Sequence, residues 1–463
     1  MLLRELLSLL EKMREAFPQQ RVFERVFRQA LGLLCTVGRR TVARVLAATG
    51  RDQQAWSSDY RVFSRSPWES QELFVPILQE TLKHCPGEGP IVMAADFTHL
   101  KKSGKHIPHA TWIRDPMSPP FHVNLIMGLR FFQATVLCGF RNHQPDPLPA
   151  RSIPVCFEPS PMTKKPGKKA SPGEVAAYKK ALREKPAAKA ARANLQTLRG
   201  NFDQAGAAAR PLLITLDGSF CNRVFLGEAL DRTALICRCR KDAQLCFQAP
   251  REKGSRRFYA PEKFTPEAVR KDSSIEWNTA DFFLGGCFRA LRYKEIQRVL
   301  WQGGARRRFL RLIVIAPTGY RLHRKGRLLY RDPAYLLTDD LETPAAELIA
   351  AYLEHWQIEV NHREEKTTLG LGDAQVRNER SVPRQPALVV ACYAMLNLAS
   401  LNAYGPERTD DYLPQPKWAR ATKRPSCQDM IALLRHQLDA EPQIAAKYGV
   451  HINTLDLLTK AAA

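Results

Sequence analysis

The chain has 463 residues, which is enough for about three domains or for one insertion-bearing domain with helical flanks. Its 44% hydrophobic content excludes a disordered chain, and no uninterrupted apolar run reaches the roughly 18 residues that a membrane-spanning helix needs. Seventy Lys and Arg residues against 46 Asp and Glu residues give a formal net charge of +24. This excess favours a polyanionic partner such as nucleic acid, although a pI near 9.8 alone also fits ribosome-associated or membrane-surface proteins.

Residues 1–85 are expected to form a helical N-terminal DNA-binding region. The stretches LLRELLSLLEKM and FERVFRQALGLLC place an apolar residue at every third or fourth position, which is the spacing of one buried helix face. The region also contains five arginines, Arg39, Arg40, Arg44, Arg51 and Arg61. A basic helical unit suits DNA binding, but a plain packing region fits the same pattern about as well.

The cysteines and the N-terminus predict a cytoplasmic protein. The eleven cysteines are an odd number and include no Cys-x-x-Cys pair. Cys237, Cys239 and Cys246 are close in sequence, but no His or Cys pair follows them at zinc spacing, so buried reduced thiols are expected. The N-terminal stretch is interrupted by charges and lacks the apolar core of a secretory signal.

Two apolar, strand-like runs within residues 88–246 each end in an aspartate. IVMAADFTHL carries Asp96 and PLLITLDGSF carries Asp217, and between them HVNLIMGLRFFQATVLCGF predicts two more strands. Ligands gather at the carboxyl ends of strands in α/β sheets, so an acid placed there lies in a cleft. Taken alone, either aspartate more often starts a turn or caps a helix.

A basic connector, PSPMTKKPGKKAS, lies between these two runs and is followed by the lysine-rich stretch GEVAAYKKALREKPAAKAARANLQTLRG. The connector is best interpreted as a solvated loop, with DNA contact as the second interpretation. The stretch after it predicts a broken helix, because a proline interrupts an otherwise helical composition.

Residues 247–308 are irregular, basic and aromatic, and we interpret them as an insertion. Strand character returns in RRFLRLIVIAP and LLYRDPAYLLTDD. Thr343 and Pro344 then suit the start of a helix, with Thr as the cap and Pro at the first helical position. This helix is expected to continue to Gly370.

One carboxylate on this predicted helix stands apart from the others. At about 100° per residue, Tyr352, His355, Glu359, Arg363 and Lys366 lie on one stripe. An adjoining apolar stripe, expected to pack on the sheet, consists of Ile349, Leu353, Trp356 and Val360. Glu354, Glu364 and Glu365 fall outside the cationic stripe and are assigned to solvent or to salt bridges.

Three carboxylates that converge in a basic protein have a definite chemical use. Two divalent ions about 3.5 to 4 Å apart activate a water or a 3′-hydroxyl and stabilise the leaving oxygen during phosphodiester cleavage. Mg²⁺ prefers such hard oxygen ligands. The neighbouring lysines and arginines would then hold the phosphates of the strand being cut.

These residues together resemble the DDE transposases of bacterial insertion sequences, whose catalytic core is similar to ribonuclease H and retroviral integrase. One branch has the signature Tyr, two residues, Arg, three residues, Glu, six residues, Lys. Tyr352, His355, Glu359 and Lys366 match that spacing, with His in place of Arg, and WQIE and LGL strengthen the match. The resemblance extends over about residues 90–400.

The resemblance implies that Asp96, Asp217 and Glu359 are the catalytic residues and bind two Mg²⁺ ions, with Mn²⁺ as a possible substitute. It implies DNA contacts by Tyr352, Lys366 and, at the position of the arginine, His355. The nearby cations Arg363, Lys101, Lys102 and Lys105 are expected to bind DNA as well, since they would hold the phosphates of the strand being cut. Because His355 replaces an arginine, its phosphate contact is expected to depend on pH. Trp277 and Trp301 are candidates for stacking on a flipped base, but an aromatic residue in such a segment is more often part of the core.

The sequence therefore predicts an α/β protein with a ribonuclease-H-like core, a β-rich insertion and helical flanks. The expected regions are 1–85 (helical, DNA-binding), 88–246 (first part of the core), 247–308 (insertion), 309–404 (second part of the core) and 405–463 (helical). The expected function is cut-and-paste DNA transposition by a homodimer on paired terminal inverted repeats, with target DNA as the second substrate and a nucleoid-associated bacterial location. The alternatives are a ribonuclease-H-like nuclease without strand transfer and a domesticated, non-catalytic DNA-binding protein.

Overall fold

The computed structural model describes residues 1–104, 106–115, 118–119, 121–139, 148–250, 256–323, 326–419 and 421–447. The helices are α1 (Leu2–Lys12), α2 (Gln20–Cys35), α3 (Val42–Ala48), α4 (Ser57–Ser64), α5 (Phe74–Leu82), α6 (Pro172–Arg183), α7 (Pro186–Phe202), α8 (Arg223–Leu226), α9 (Pro266–Lys271), α10 (Gln302–Ala305), α11 (Ala345–Leu353), α12 (Trp356–Thr367), α13 (Ser381–Tyr404), α14 (Cys427–Ala440) and α15 (Pro442–Ala446). The strands are β1 (Ile91–Lys101), β2 (Thr111–Arg114), β3 (Leu125–Cys138), β4 (Arg151–Pro159), β5 (Leu212–Leu216), β6 (Thr233–Arg238), β7 (Leu245–Gln248), β8 (Tyr259–Phe264), β9 (Asn278–Leu284), β10 (Cys287–Leu300), β11 (Phe309–Ile315), β12 (Gly319–Tyr320), β13 (Leu329–Tyr330) and β14 (Ala334–Thr338).

A twelve-stranded mixed sheet forms the centre of the fold. Its main path runs β2-β3-β1-β5-β6-β14-β11-β10-β7-β8, with β4 paired to β3 and β9 paired to β10. Strands β1, β5 and β6 are parallel neighbours, whereas β3 is antiparallel to both β1 and β4. The large sheet with helices around it confirms the expected mixed α/β architecture.

Two strand expectations around the first acid were wrong. The stretch predicted to hold two strands forms the single long strand β3, since its apolar and polar residues pack without a turn between them. Asp96 does not end its strand either: β1 continues to Lys101. Only the parallel pairing of β1 with β5 stops beside Asp96, at Ala95 and Leu216.

The helical flanks pack against each other. The backbone N–H of Leu3 in α1 donates to the side chain of Gln437 in α14 at 2.8 Å. Helix α13 lies between the flanks and the sheet, and nearly all of it is buried. Among the described residues, α13 is the one helix long and apolar enough to cross a membrane, but its burial inside the fold is what a core helix shows.

The segment 247–308 extends the central sheet. Its strands β8, β9 and β10 continue the sheet beyond β11, and β10 pairs with β11 from Tyr293 to Leu300. Gly285 and Gly286 form the turn between β9 and β10, and both have positive φ angles, 65° and 85°, which glycine adopts without steric cost.

The helix expected from Pro344 to Gly370 is two helices, α11 and α12, joined by a tight turn. Thr343 does not cap α11; its N–H and hydroxyl both donate to Asp340. At the junction, the N–H of His355 bonds to the carbonyl of Tyr352, and the N–H of Ile358 bonds to that of His355. Hydrogen bonds between residues three apart rotate successive residues by about 120° instead of 100°. The side chains of α12 therefore point in directions different from those that one continuous helix would give them.

Candidate active site

Asp96 and Asp217 lie side by side on neighbouring parallel strands. The register pairs Ile91 with Leu212 and ends with Ala95 opposite Leu216, so the next residue on each chain is an aspartate. Neighbouring strands are about 4.8 Å apart, and residues in register on parallel strands point to the same face. The two carboxylates predicted from sequence therefore meet at one edge of the parallel part of the sheet.

The electrostatic environment of Asp96 is the clearest feature of this site. Burial, followed by the nearby negative charges of Asp217 and Glu359, raises the pKa of Asp96 to about 8. The N–H of Phe97, which donates to Asp96 Oδ1 at 2.7 Å, and the ammonium of Lys366 act in the opposite direction. Asp96 is therefore a carboxyl group whose negative charge is unfavourable unless a cation comes close.

Asp217 also has the local role that aspartates commonly have at a strand end. Its Oδ1 accepts hydrogen bonds from the N–H of Ser219 at 2.9 Å and from the Ser219 hydroxyl at 2.7 Å. This turn holds the carboxylate at the end of β5. A turn-forming role and a metal-binding role for Asp217 are compatible, because both hydrogen bonds of the turn go to Oδ1 and neither uses Oδ2.

Glu359 and Lys366 bring α12 to the two aspartates. Glu359 is exposed near the start of α12, and its charge acts on both Asp96 and Lys366. Burial lowers the pKa of Lys366, while Glu365, Glu359 and Asp96 raise it. The Lys366 ammonium thus lies near Glu359 and Asp96, and Asp96 is in turn near Asp217, so these four side chains are linked through Asp96.

The predicted assignment of the other glutamates to solvent or salt bridges was wrong for Glu365, whereas Glu354 and Glu364 are half-buried. Glu365 is fully buried; it accepts a 2.8 Å hydrogen bond from Gln133, and burial raises its pKa to about 8. Burial likewise raises the pKa of Glu354 to about 7. Glu364 accepts a 2.7 Å hydrogen bond from the buried Tyr393 hydroxyl.

The tight turn between the helices explains these errors. The buried face of α12 consists of Ile358, Asn361, His362 and Glu365. The apolar stripe predicted from an unbroken helix included Trp356, which is 65% exposed. A helical wheel drawn across the turn therefore placed the buried face of α12 on the wrong residues.

His355 joins α12 to the strand that carries Asp217. Its Nδ1 lies 3.0 Å from the hydroxyl of Thr215, which donates its own hydrogen to the carbonyl of Met93 at 3.0 Å. The hydroxyl has a single hydrogen, so Nδ1 of His355 is the donor in this pair. Burial lowers the pKa of His355 against an opposing effect of Asp217, and the ring of Tyr352 stacks on it.

The predicted DNA-contacting cations lie in different environments. Lys101 and Arg363 are exposed, whereas Lys102 is buried and its Nζ donates to the carbonyls of Gly372 and Ala374 at 3.2 and 2.8 Å. Lys102 therefore holds the segment after α12 against the end of β1, and we leave it out of the proposed DNA contacts. Lys105 lies outside the described residues.

A cavity of about 920 Å³ opens beside the acids, and its cationic wall was not anticipated from sequence. The lining includes Asp217, Glu359, His355, Tyr352 and four arginines, Arg238, Arg289, Arg321 and Arg331. The β9–β10 hairpin carries Arg289 and the segment around β12 and β13 carries Arg321 and Arg331. The one sequence signal was the basic stretch RLHRKGRLLYR, which no spacing linked to the acids.

Two further expectations concern aromatic and sulfur side chains. Trp277 and Trp301 are partly buried and pack against the core, and Trp277 also contacts the Lys294 ammonium, 4.7 Å from the ring centre. The sequence expectation of buried thiols is confirmed for Cys237, Cys239 and Cys246, which are free and buried.

The carboxylates suit a hard divalent cation, although they are not drawn together around one. Among the described residues, no group of three His, Cys, Asp or Glu side chains is arranged to hold a metal ion. Asp96 and Asp217 nevertheless supply neighbouring oxygen donors, and the raised pKa of Asp96 marks a place where a cation would relieve repulsion. The donor chemistry therefore fits Mg²⁺ or Mn²⁺.

Paired carboxylates on neighbouring parallel strands, beside a cavity walled by arginines, are typical of enzymes that act on phosphodiesters. The chain matches the family model described as DDE superfamily endonuclease over residues 15–308, and it therefore belongs to this family. Enzymes of this superfamily generally use divalent metal ions and act on DNA. The matched region contains Asp96 and Asp217 and ends before Glu359. No curated protein matches the chain.

Proposed function

We propose that the protein is a DNA transposase that cuts transposon ends in a metal-dependent reaction and joins the freed 3′ ends to target DNA. The observation that supports this most is the parallel register that sets Asp96 beside Asp217, with Glu359 and Lys366 close enough to act on the pKa of Asp96. Three carboxylates and a lysine beside a basic cavity are the parts that phosphodiester cleavage requires.

The order of the strands around Asp96 supports a ribonuclease-H-like core. Strands β4, β3, β1, β5 and β6 are successive neighbours, with β3 antiparallel to its neighbours and β1, β5 and β6 parallel. This arrangement is the one that the sequence resemblance implies. The domain limits proposed from sequence place this core in residues 88–246 and 309–404.

The proposed metal ligands are Asp96, Asp217 and Glu359. A bound pair of divalent ions would activate the attacking water or 3′-hydroxyl and neutralise the leaving oxygen. The exposed side chain of Glu359 would supply the third carboxylate of the set, and a divalent ion held there would offset the repulsion that burial and the neighbouring charges impose on Asp96. Lys366 remains beside the carboxylates as a phosphate contact.

The cavity wall supplies the remaining DNA contacts. Arginines bind phosphate oxygens through a planar, always charged guanidinium, so the four cavity arginines suit the backbone at the cleavage site. His355 does not replace the arginine of the family signature as a cation, because burial lowers its pKa. We assign His355 to positioning α12 against β5, and the phosphate contact to the cavity arginines.

A second groove suits recognition of the transposon end by the N-terminal region. It measures about 480 Å³ and lies between helices α3 and α4 and the segment 373–381, with Arg39, Tyr60 and Arg377 in its lining. The same segment is fixed to the N-terminal region by the N–H of Arg40, which donates to Asp373 at 2.8 Å. Terminal inverted repeats are the proposed ligand, bound by a homodimer on paired ends.

The test is metal-dependent cleavage of a duplex that carries the element's end sequence. Asp96→Asn, Asp217→Asn and Glu359→Gln should each abolish cleavage in Mg²⁺ while DNA binding survives. Glu364→Gln is the matched control, because it removes a charge five residues from Glu359 and can still accept the Tyr393 hydrogen bond. Normal cleavage by Glu359→Gln together with loss in Glu364→Gln would show that the wrong glutamate was chosen.

A nuclease that cuts without joining is the nearest alternative function. The two are separated by supplying pre-cut ends with a free 3′-hydroxyl together with a target duplex. Covalent joining of end to target supports the transposase, and cleavage with no joined product supports the nuclease.

A further inference from the structure

A cationic arm projects beside the active site between β4 and α7. We define the arm as residues 160–185, which comprise the basic connector, helix α6 and the corner before α7. It contains eight lysines and arginines, namely Lys164, Lys165, Lys168, Lys169, Lys179, Lys180, Arg183 and Lys185, against the two glutamates Glu174 and Glu184. A quarter of the net charge of +24 is therefore carried by 26 residues.

The arm has few contacts with the rest of the protein. Helix α6 has no buried residue, and all eight arm cations are exposed. Among the described residues, none of the eight lies within 4 Å of a carboxylate, and Glu174 is used in the capping box with Ser171. A twelve-residue helix without a packed face is marginal in isolation, so the arm gains most from a partner that supplies negative charge.

The first end of the arm leaves the sheet close to Asp96. Strand β4 runs parallel to β1, because β3 is antiparallel to both. Its last residue, Pro159, pairs with Phe131, which pairs in turn with Thr98, two residues past Asp96. Because β3 lies between them, β4 and β1 are two strand spacings apart, which is about 10 Å.

The second end of the arm returns to the same edge of the sheet. The C-terminal part of α7 lies beside the start of β5, since Arg199 donates to the carbonyl of Arg210 at 2.7 Å. Seventeen residues of helix span about 25 Å, whereas the five residues of β5 span about 16 Å. Arg192, earlier in α7, donates to the carbonyl of Phe225 in α8 at 3.1 Å, and α8 follows the Asp217 end of β5. The start of α7 therefore lies toward the Asp217 end of β5.

We propose that the cationic arm binds the phosphate backbone of duplex DNA that passes the active site, without reading its sequence. The proposal rests on the proposed transposase function, which supplies two DNA duplexes at this edge: the transposon end and the target. Both present the same phosphates, so the arm's chemistry fits either, and the experiment separates them. The exposed, unpaired cations and their place beside both aspartates support the proposal.

The experiment neutralises the two halves of the arm separately in the full-length protein. One variant changes Lys164, Lys165, Lys168 and Lys169 to Gln, and the other changes Lys179, Lys180, Arg183 and Lys185 to Gln. A matched control changes four exposed cations elsewhere, Arg21, Lys241, Lys263 and Lys417, to Gln, which lowers the net charge equally. Because the arm has no buried side chain apart from its anchors, melting temperatures equal to that of the unchanged protein are expected for both arm variants.

Binding to a 40-base-pair duplex of random sequence is measured from low to high salt without divalent ions. Each lost phosphate contact lowers the slope of log affinity against log salt by about 0.9, so an arm variant that loses two or more contacts should lose about 2 units of slope and at least tenfold in affinity at low salt. The control should change less. Equal losses in the control and both arm variants, or unchanged slopes in both arm variants, would overturn the proposal.

Cleavage and joining then identify the DNA. Loss of end cleavage assigns the arm to the transposon end, while normal cleavage with at least tenfold less joining assigns it to the target. If the unchanged protein neither cuts nor joins but the arm variants still lose binding, the transposase proposal fails and the arm proposal survives. If the unchanged protein cuts and joins and both arm variants equal it in binding, cleavage and joining, the arm proposal alone fails.

Discussion

The change Asp96→Asn should make the protein more stable while it destroys activity. Asp96 is held partly buried beside Asp217, and burial and the neighbouring charges raise its pKa to about 8. Asparagine has the same shape and can still accept the hydrogen bond from the Phe97 N–H. The substitution therefore removes the unfavourable charge and keeps the local geometry.

The size of the effect follows from proton linkage. The reference pKa of Asp96 is 3.8, so the folded state binds a proton more tightly than the unfolded chain does, and the native protein loses stability as pH rises from about 4 to about 8. At pH 7 the penalty reaches at most about 4 kcal/mol, at about 1.36 kcal/mol per pKa unit. Solvent screening and relaxation reduce this value, so we expect about 1 to 3 kcal/mol.

The assay compares urea unfolding midpoints of Asp96→Asn and the unchanged protein from pH 4.5 to pH 8 in the presence of a chelator. The stability difference should grow with pH and should shrink when Mg²⁺ is added, because the ion binds only the intact carboxylate pair. Asp281→Asn, at an exposed position on β9, is the control and should show little of this trend. A difference that stays constant across the pH range, or an asparagine variant that is less stable at pH 8, would refute the reasoning.

Four other substitutions test the assignments around the site. Glu365→Gln should keep the Gln133 hydrogen bond. It should raise the unfolding free energy at pH 8 but not at pH 4.5, because burial raises the pKa of Glu365 to about 8. Unfolding curves at the two pH values check this, and an equal change in unfolding free energy at both would contradict it. His355→Gln should leave the salt slope of DNA binding at pH 7.5 unchanged, because burial lowers the pKa of the native ring and no cation is lost; a slope smaller by about 0.9 would show that the ring meets phosphate as a cation. Lys102→Met should lower the unfolding free energy by about 1 to 3 kcal/mol and leave the salt slope of DNA binding unchanged. Lys101→Gln should lower the salt slope and leave the unfolding free energy unchanged. A lower salt slope with unchanged stability in Lys102→Met would return Lys102 to the proposed DNA contacts.

The pairing of the two aspartates could be predicted because it depends on local sequence. Each acid follows five residues of a largely apolar strand, and the carboxyl ends of parallel strands meet at one edge. The strand limits were less predictable. The long β3 and the continuation of β1 beyond Asp96 depend on pairing with each other, from Met93 with Val136 to Lys101 with Gly128, and no residue marks that pairing locally.

The environment of the third acid depended on a detail that the sequence does not show. A tight turn at Glu354 and His355 shifts the phase of α12, so Glu365 enters the core and Trp356 leaves it. The arginines of the cavity come from distant segments, and only the folded hairpins bring Arg289 and Arg331 to the acids. Long-range placement of this kind has no periodic signal in the sequence.

The central claim is that the paired aspartates bind the catalytic metal, and a change of metal preference tests it most directly. Asp217→Cys replaces a hard oxygen ligand by a softer thiolate, which disfavours Mg²⁺ more than Mn²⁺. End cleavage by this variant should be lost in Mg²⁺ and recovered at least in part in Mn²⁺, while an Asp281→Cys control, at an exposed position on β9, keeps its cleavage in Mg²⁺. Cleavage by Asp217→Cys in Mg²⁺ at the rate of the unchanged protein would contradict the claim.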